Sequence, residues 1–134
     1  KLKMMGIEAV KSSTPAPRRA MIKDALKLMK DALAAMRRHT LATDAGRAAD
    51  RDFHNAILNA TRNDALLVLT ASIGAAVNWT TQFKQRARAL PRNPIPDHVR
   101  VYDAIVAGDP KAAAEAMGVL VDLALEDTAS AMER

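Results

Sequence analysis

Apolar residues recur every three or four positions along most of this chain, a spacing that gathers them on one face of an α-helix. Met21, Ile22, Ala25, Leu28, Met29, Ala32, Leu33 and Met36 form the first long stripe, which predicts a helix running to about His39. Upstream, Leu2 to Val10 reads as the end of another helix. Ser12-Ser13-Thr14-Pro15 then marks a restart, with Thr14 suited to an N-cap and Pro15 to a first turn. Thr43-Asp44 opens the next helix, whose apolar side carries Ala49, Phe53, Ala56, Ile57 and Ala60 and which ends near Thr61. From Asn63 or Asp64 a long helix is expected on the stripe Leu66, Leu69, Ile73, Ala76, Thr80, Phe83, Ala87 and Leu90. Pro91, Pro94 and Pro96 break it, since an interior proline costs about 3 kcal/mol. A further helix from about Asp97 to Ala107 turns Val101, Tyr102 and Ile105 inward. Gly108-Asp109-Pro110 then supplies a left-handed C′ residue, an N-cap and an N1 proline in sequence. The last helix turns Ala113, Met117, Leu120, Leu123 and Ala124 inward and continues almost to the end. Short connections between such helices predict an all-α fold, an antiparallel bundle of about six helices forming one domain over residues 1–134.

Composition agrees with this picture. About half of the residues are hydrophobic, many of them alanine, and only two Phe, one Tyr and one Trp are present. Small side chains suit close helix packing, whereas strands favour β-branched and aromatic residues. Without cysteine the chain has neither disulfides nor a thiolate metal site, which fits a reducing, cytoplasmic setting. No apolar run approaches the ~20 residues of a membrane span. Lys1 in place of an initiator methionine points to a fragment or a processed chain. The net charge of +5 is spread over Arg18-Arg19, Arg37-Arg38 and the run from Lys84 to Arg92. With no aromatics interleaved, these residues read as solvated helix faces.

Asp50 and His54 stand four residues apart beside the Phe53/Ile57 stripe, so both can reach inward, with Arg51 and Asn55 pointing outward. His98 shares the inward stripe of Val101, Tyr102 and Ile105. Two imidazoles and a carboxylate that converge can hold a divalent metal with open positions. By spacing alone an Asp/His pair four apart is more often a local hydrogen bond, and an inward histidine more often a satisfied core residue. His39, beside Arg37-Arg38 at a helix end, reads as a structural complement to the helix dipole. Thr70, Gly74, Asn78 and Thr81 form a small and polar lane on the long helix. A helical glycine costs about 1 kcal/mol against alanine, so Gly74 serves either close packing or ligand room, with Asn78 and Thr81 as effector-binding groups. No nucleophile with a base, phosphate loop or HExxH motif is present.

The runs Asp50-Arg-Asp-Phe53-His54, Ala60-Thr61-Arg62-Asn63 and His98 followed by Ala104-Ile105-x-x-Gly108-Asp109-x-x-x-Ala113-x-x-Ala116-Met117 resemble the C-terminal effector-binding (FCD) domain of FadR-type GntR transcription regulators. The likeness spans about Pro15 to the C-terminus. It implies a cytoplasmic homodimer whose helical pocket binds a small carboxylate effector and controls DNA through a separate N-terminal winged-helix domain absent from this chain. It also implies a divalent metal (Zn, Ni or Mn) on Asp50, His54 and His98. A fourth family ligand would fall at position 120, where this chain has Leu120. The ending Met117-Gly-Val-Leu120-Val-Asp is similar to a branch responding to sugar acids such as galactonate. The reading is therefore a sensor and not an enzyme. The competing readings are a metal-dependent enzyme using the same trio and a metal-free helical scaffold.

Overall fold

The computed structural model describes residues 16–87 and 92–133. The helix expected over Leu2–Val10, the Thr14-Pro15 start, Leu90, Pro91 and the side chains of Arg18, Arg19 and Lys84 to Ala87 lie outside the described residues. Six helices and no strand occur among those described: α1 (Ala16–His39), α2 (Asp44–Ala60), α3 (Asp64–Leu67), α4 (Thr70–Ala87), α5 (Ile95–Val106) and α6 (Pro110–Met132). None is long and apolar enough to cross a membrane.

Local chemistry sets the ends. Arg37, Arg38 and His39 occupy the last turn of α1, where cations complement the helix dipole. Thr40 then takes a left-handed φ of 58° and reverses the chain. The Thr43 side chain caps α2 by accepting from the Gly46 N–H at 3.0 Å. Gly46 is required by this turn, because a Cβ there would lie 1.5 Å from the Thr40 carbonyl oxygen. At the other tight turn Gly108, at φ 69°, donates to Ile105 O while Asp109 N–H donates to Ala104 O. That pair of bonds is a Schellman motif. The Asp109 carboxylate then accepts from Ala112 N–H at 3.0 Å, and Pro110 needs no partner in the first turn. Asn93 Oδ1 accepts from Ile95 N–H, so α5 starts slightly before the expected Asp97. Pro94 and Pro96 fall at its cap and first turn, where no helical N–H is needed.

Two helical hairpins result. In one, Met29, Ala32, Leu33 and Met36 of α1 bury against Ala49, Phe53 and Ala56 of α2. In the other, α5 packs on α6, and Val101 and Leu120 complete the core. Helix α1 also touches α5, and α4 bridges α2 and α6. Phe53, Met29, Met36 and Val101 are fully buried, each contributing about 1.5–3 kcal/mol of transfer free energy.

The long helix expected from Asn63 onward is instead two. Asn63 caps α3, but Leu69 N–H turns to Leu66 O at 3.0 Å, the tighter three-residue register, before α4 begins. Val68 and Leu69 are exposed at the break, so no burial favours a continuous rod. The break also sets the facing of α4. Leu69 and Ala76 of the expected apolar stripe are exposed, while Gly74 and Thr81 of the polar lane are buried. Arg51, expected to point outward, lies over Gly74 with its Cδ 3.6 Å from where a Cβ would be, and donates to Asn78 Oδ1 at 3.1 Å. Asn55 is half-buried as well.

Gly46→Ala is expected to destabilise the fold by about 3 kcal/mol, through the clash with Thr40. Gly118, with open space around it, should accept alanine and gain about 0.5–1 kcal/mol. Urea unfolding followed by circular dichroism checks both, and equal midpoints for the two variants would contradict this account of the turn.

Candidate functional site

Helix α2 presents Asp50, Phe53 and His54 at the i, i+3 and i+4 positions, so all three lie on one face. The first turn of α5 brings His98 opposite them. Its Nδ1 lies 2.8 Å from the Pro94 carbonyl oxygen, which can only accept, so Nδ1 carries the proton and donates. Nε2 therefore faces Asp50 Oδ1, at 2.9 Å. His54 Nε2 approaches the same oxygen to 3.3 Å. Phe53 sits edge-on to both imidazoles, with ring centroids 5.6 Å from His54 and 5.1 Å from His98, and fixes their planes.

Asp50 and His98 are 4% and 3% exposed, so both are deeply buried. Burial opposes ionisation of Asp50, but hydrogen bonds from His54 and His98 and the charges of those rings outweigh it. They hold the carboxyl well below the usual carboxylate range. A neutral His98 with its proton on Nδ1 would turn an Nε2 lone pair toward the Asp50 carboxylate at 2.9 Å. Two lone pairs at that distance require a proton or a cation between them.

The donor set meets a metal's demands. One ligand atom from each of Asp50, His54 and His98 lies within 4.8 Å of the others. Ligands about 2.0–2.2 Å from one small divalent ion stand about 3.0–3.5 Å apart, which the 2.9 Å and 3.3 Å separations approach. The Pro94 carbonyl is the outer partner that such a histidine ligand ordinarily has.

These residues wall a cavity of about 190 Å³ bounded by α2, α4, α5 and α6. At about 30 Å³ per water it has room for about six waters, the scale of a small metabolite. Thr81, an expected effector-binding residue, lines the cavity; Asn78 does not, its amide oxygen being taken by Arg51. Leu120 lines it too, 5% exposed, and contributes an apolar wall. His39 lies apart from the trio at the end of α1.

Sequence reasoning missed Arg92, Asp97 and Asp127, which form a charged cluster on the same cavity. Arg92 Nη2 donates to Asp127 Oδ2 at 2.6 Å, and Arg92 Nε stands 4.0 Å from Asp97 Oδ2. Asp97, directly before His98 and inside the first turn of α5, carried a weak signal. Asp127 carried none, because its neighbour in space is 35 residues away.

Residues 9–123 match the family model of the FCD domain. No curated protein and no solved structure matches the chain.

Removing the carboxylate in Asp50→Ala leaves the buried His98 Nε2 without its partner at 2.9 Å and should cost about 3–5 kcal/mol in metal-free protein. Acid sensitivity follows from the lowered Asp50 titration. Its contribution is present above the unfolded carboxylate value of about 3.9 and is lost as pH falls through the folded value. Asp50→Asn should therefore flatten the fall of stability below about pH 4, measured by urea unfolding across pH. An unchanged acid limb would refute the assignment.

Proposed function

The chain belongs to the FCD family, the C-terminal effector-binding domain of FadR-type GntR regulators, and on that premise we propose that it senses a small carboxylate metabolite in the cavity walled by Asp50, His54 and His98. The observation that carries this reading is the position of the trio: three metal-ligating side chains stand in the wall of a cavity of metabolite size.

Asp50, His54 and His98 would hold a divalent ion such as Zn, Ni or Mn, which supplies positive charge and open positions for an acid group. Leu120 adds no fourth side-chain donor, so more of the coordination is left to solvent and effector. Around the trio the chain's own groups orient and desolvate. Phe53 fixes both rings, the Pro94 carbonyl keeps the proton of His98 on Nδ1, and Leu120 excludes water from one wall. Thr81 is the residue we assign to direct hydrogen bonding with the effector. Asn78 acts at one remove, by holding Arg51 against α4.

The trio also supports a route from occupancy to regulation. Asp50 belongs to one hairpin and His98 to the other, so whatever binds between them biases how the hairpins sit. A ligand with different affinity for two such arrangements shifts their populations and, through a separate DNA-binding domain, operator affinity. Trp79 and Phe83 stack at 5.2 Å on α4, and exposed Val119, Val121 and Leu125 line α6; these surfaces support a homodimer. A cytoplasmic setting accords with regulation of DNA, and the role is sensing and not catalysis.

Calorimetry on protein stripped with chelator should give one high-affinity site for Zn²⁺ or Mn²⁺, weakened more than about ten-fold by His54→Ala and by His98→Ala. With metal present, a small organic acid at about a hundred times its Kd should stabilise the fold by about 2.7 kcal/mol. Absence of any thermal shift across a panel of mono- and dicarboxylates would count against the reading.

A further inference from the structure

His98 shares the first turn of α5 with a second buried polar side chain. Asp97, the residue before it, is 7% exposed and lines the same cavity. Its Oδ1 accepts from Arg100, and its Oδ2 lies 4.0 Å from Arg92 Nε. Arg92 Nη2 in turn donates to Asp127 Oδ2 of α6 at 2.6 Å. A chain of charged groups thus runs from α6 through Arg92 to the turn that carries His98. Pro94, at the N-cap of α5, supplies no side-chain cap, and Asn93 takes only the Ile95 N–H. The contacts of Asp97 and His98 therefore weigh more in placing this turn. One link of the chain is incomplete. Arg92 Nε is buried with no acceptor, and its 4.0 Å from Asp97 Oδ2 exceeds the ~3.2 Å limit of an N–H···O bond. A buried donor favours any arrangement that supplies an acceptor. A shift of the first turn by about 1 Å toward Arg92 would close the gap, and would carry His98 with it.

His98 itself is held from α2, by Asp50 Oδ1 at 2.9 Å. Two consecutive side chains of one turn therefore answer to different helices: His98 to α2, and Asp97, through Arg92, to α6. Neither Asp97 nor Asp127 belongs to the group whose ligand atoms converge within 4.8 Å, so both act on that group at one remove. A histidine ligates only when its nitrogen stands within about 0.2 Å of the coordination distance, so a small displacement of the turn is felt at the metal. We propose that Arg92 is a positioning residue for the metal site. Anchored by Asp127, it sets Asp97 and the first turn of α5, and so makes metal affinity at the trio depend on α6. The proposal rests on the reading that Asp50, His54 and His98 hold a divalent ion. It adds that side chains offering no ligand atom tune that ion. Linkage makes the effect reciprocal, so a bound ion bears on α6 as α6 bears on the ion.

Competition with a fluorescent chelator measures Zn²⁺ affinity on the full chain, and the visible bands of bound Co²⁺ report the geometry of its ligands. Asp127→Ala should weaken Zn²⁺ binding by about ten-fold and shift the Co²⁺ bands, with melting in chelator confirming that the variant is folded. Asp127→Asn, which keeps an acceptor for Arg92 Nη2, should restore the bands and bring the affinity back to within about three-fold of the wild type. Arg92→Lys keeps the charge and a donor for Asp127 but loses the second donor directed at Asp97. It should weaken Zn²⁺ binding by about five-fold and shift the bands, which keeps the test decisive if Asp127→Ala fails to fold. The proposal is overturned if the folded variants bind Zn²⁺ within about two-fold of the wild type. It also fails if their Co²⁺ bands stay unchanged, whatever the affinity. Wild-type protein that binds neither Zn²⁺ nor Co²⁺ would instead overturn the metal reading itself, and this role of Arg92 with it.

Discussion

One buried carboxylate oxygen organises this molecule. Asp50 Oδ1 receives His98 at 2.9 Å from one helical hairpin and His54 at 3.3 Å from its own. An ionised carboxylate this deep is costly unless its lone pairs are satisfied, so α2 and α5 are held at the separation these contacts demand. The rest of the site follows from that constraint. Phe53, fully buried, stands edge-on to both rings, and the Pro94 carbonyl, which also accepts the His98 backbone N–H at 3.2 Å, gives the ring Nδ1 its acceptor.

The same constraint leaves space. Two hairpins spaced by polar contacts do not close as tightly as an apolar seam, and α4 borders the gap with Val77, Thr80 and Thr81. Gly74 lets the stem of Arg51 lie against the helix, Asn78 secures the guanidinium, and Thr81 with Thr80 faces the cavity. Of the apolar groups of α4, Val77 lines the cavity as well, while Trp79 is exposed and stacks on the half-buried Phe83.

The cavity is electrostatically divided. Near α2 the trio gathers two imidazole nitrogens around one carboxylate oxygen. Farther off, Arg92, Asp97 and Asp127 neutralise one another in part. The two ends of one small cavity therefore differ in chemistry, and the ion pairs at the far end also tie the start of α5 to α6.

Much of this was legible in the order of residues. Helical periodicity and the signals Thr43, Gly108, Asp109 and Pro110 act within a few residues, so they determine helices and turns locally. The four-residue step from Asp50 to His54 and the inward stripe of His98 are likewise periodic facts, and the D-x-x-F-H run carried the family. The tertiary structure alone decided the break at Val68-Leu69 and with it the rotation of α4, because an unbroken stripe says nothing about which face finds a partner. It also decided that Arg51 reaches Asn78 and that Arg92 meets Asp127, pairings 27 and 35 residues apart in the chain. Contacts of that kind depend on how helices cross, which is set by the packing of the whole core and is not written in any local pattern. The trio that was visible from the first survives as the near end of the pocket; its far end exists only because the chain folds back on itself.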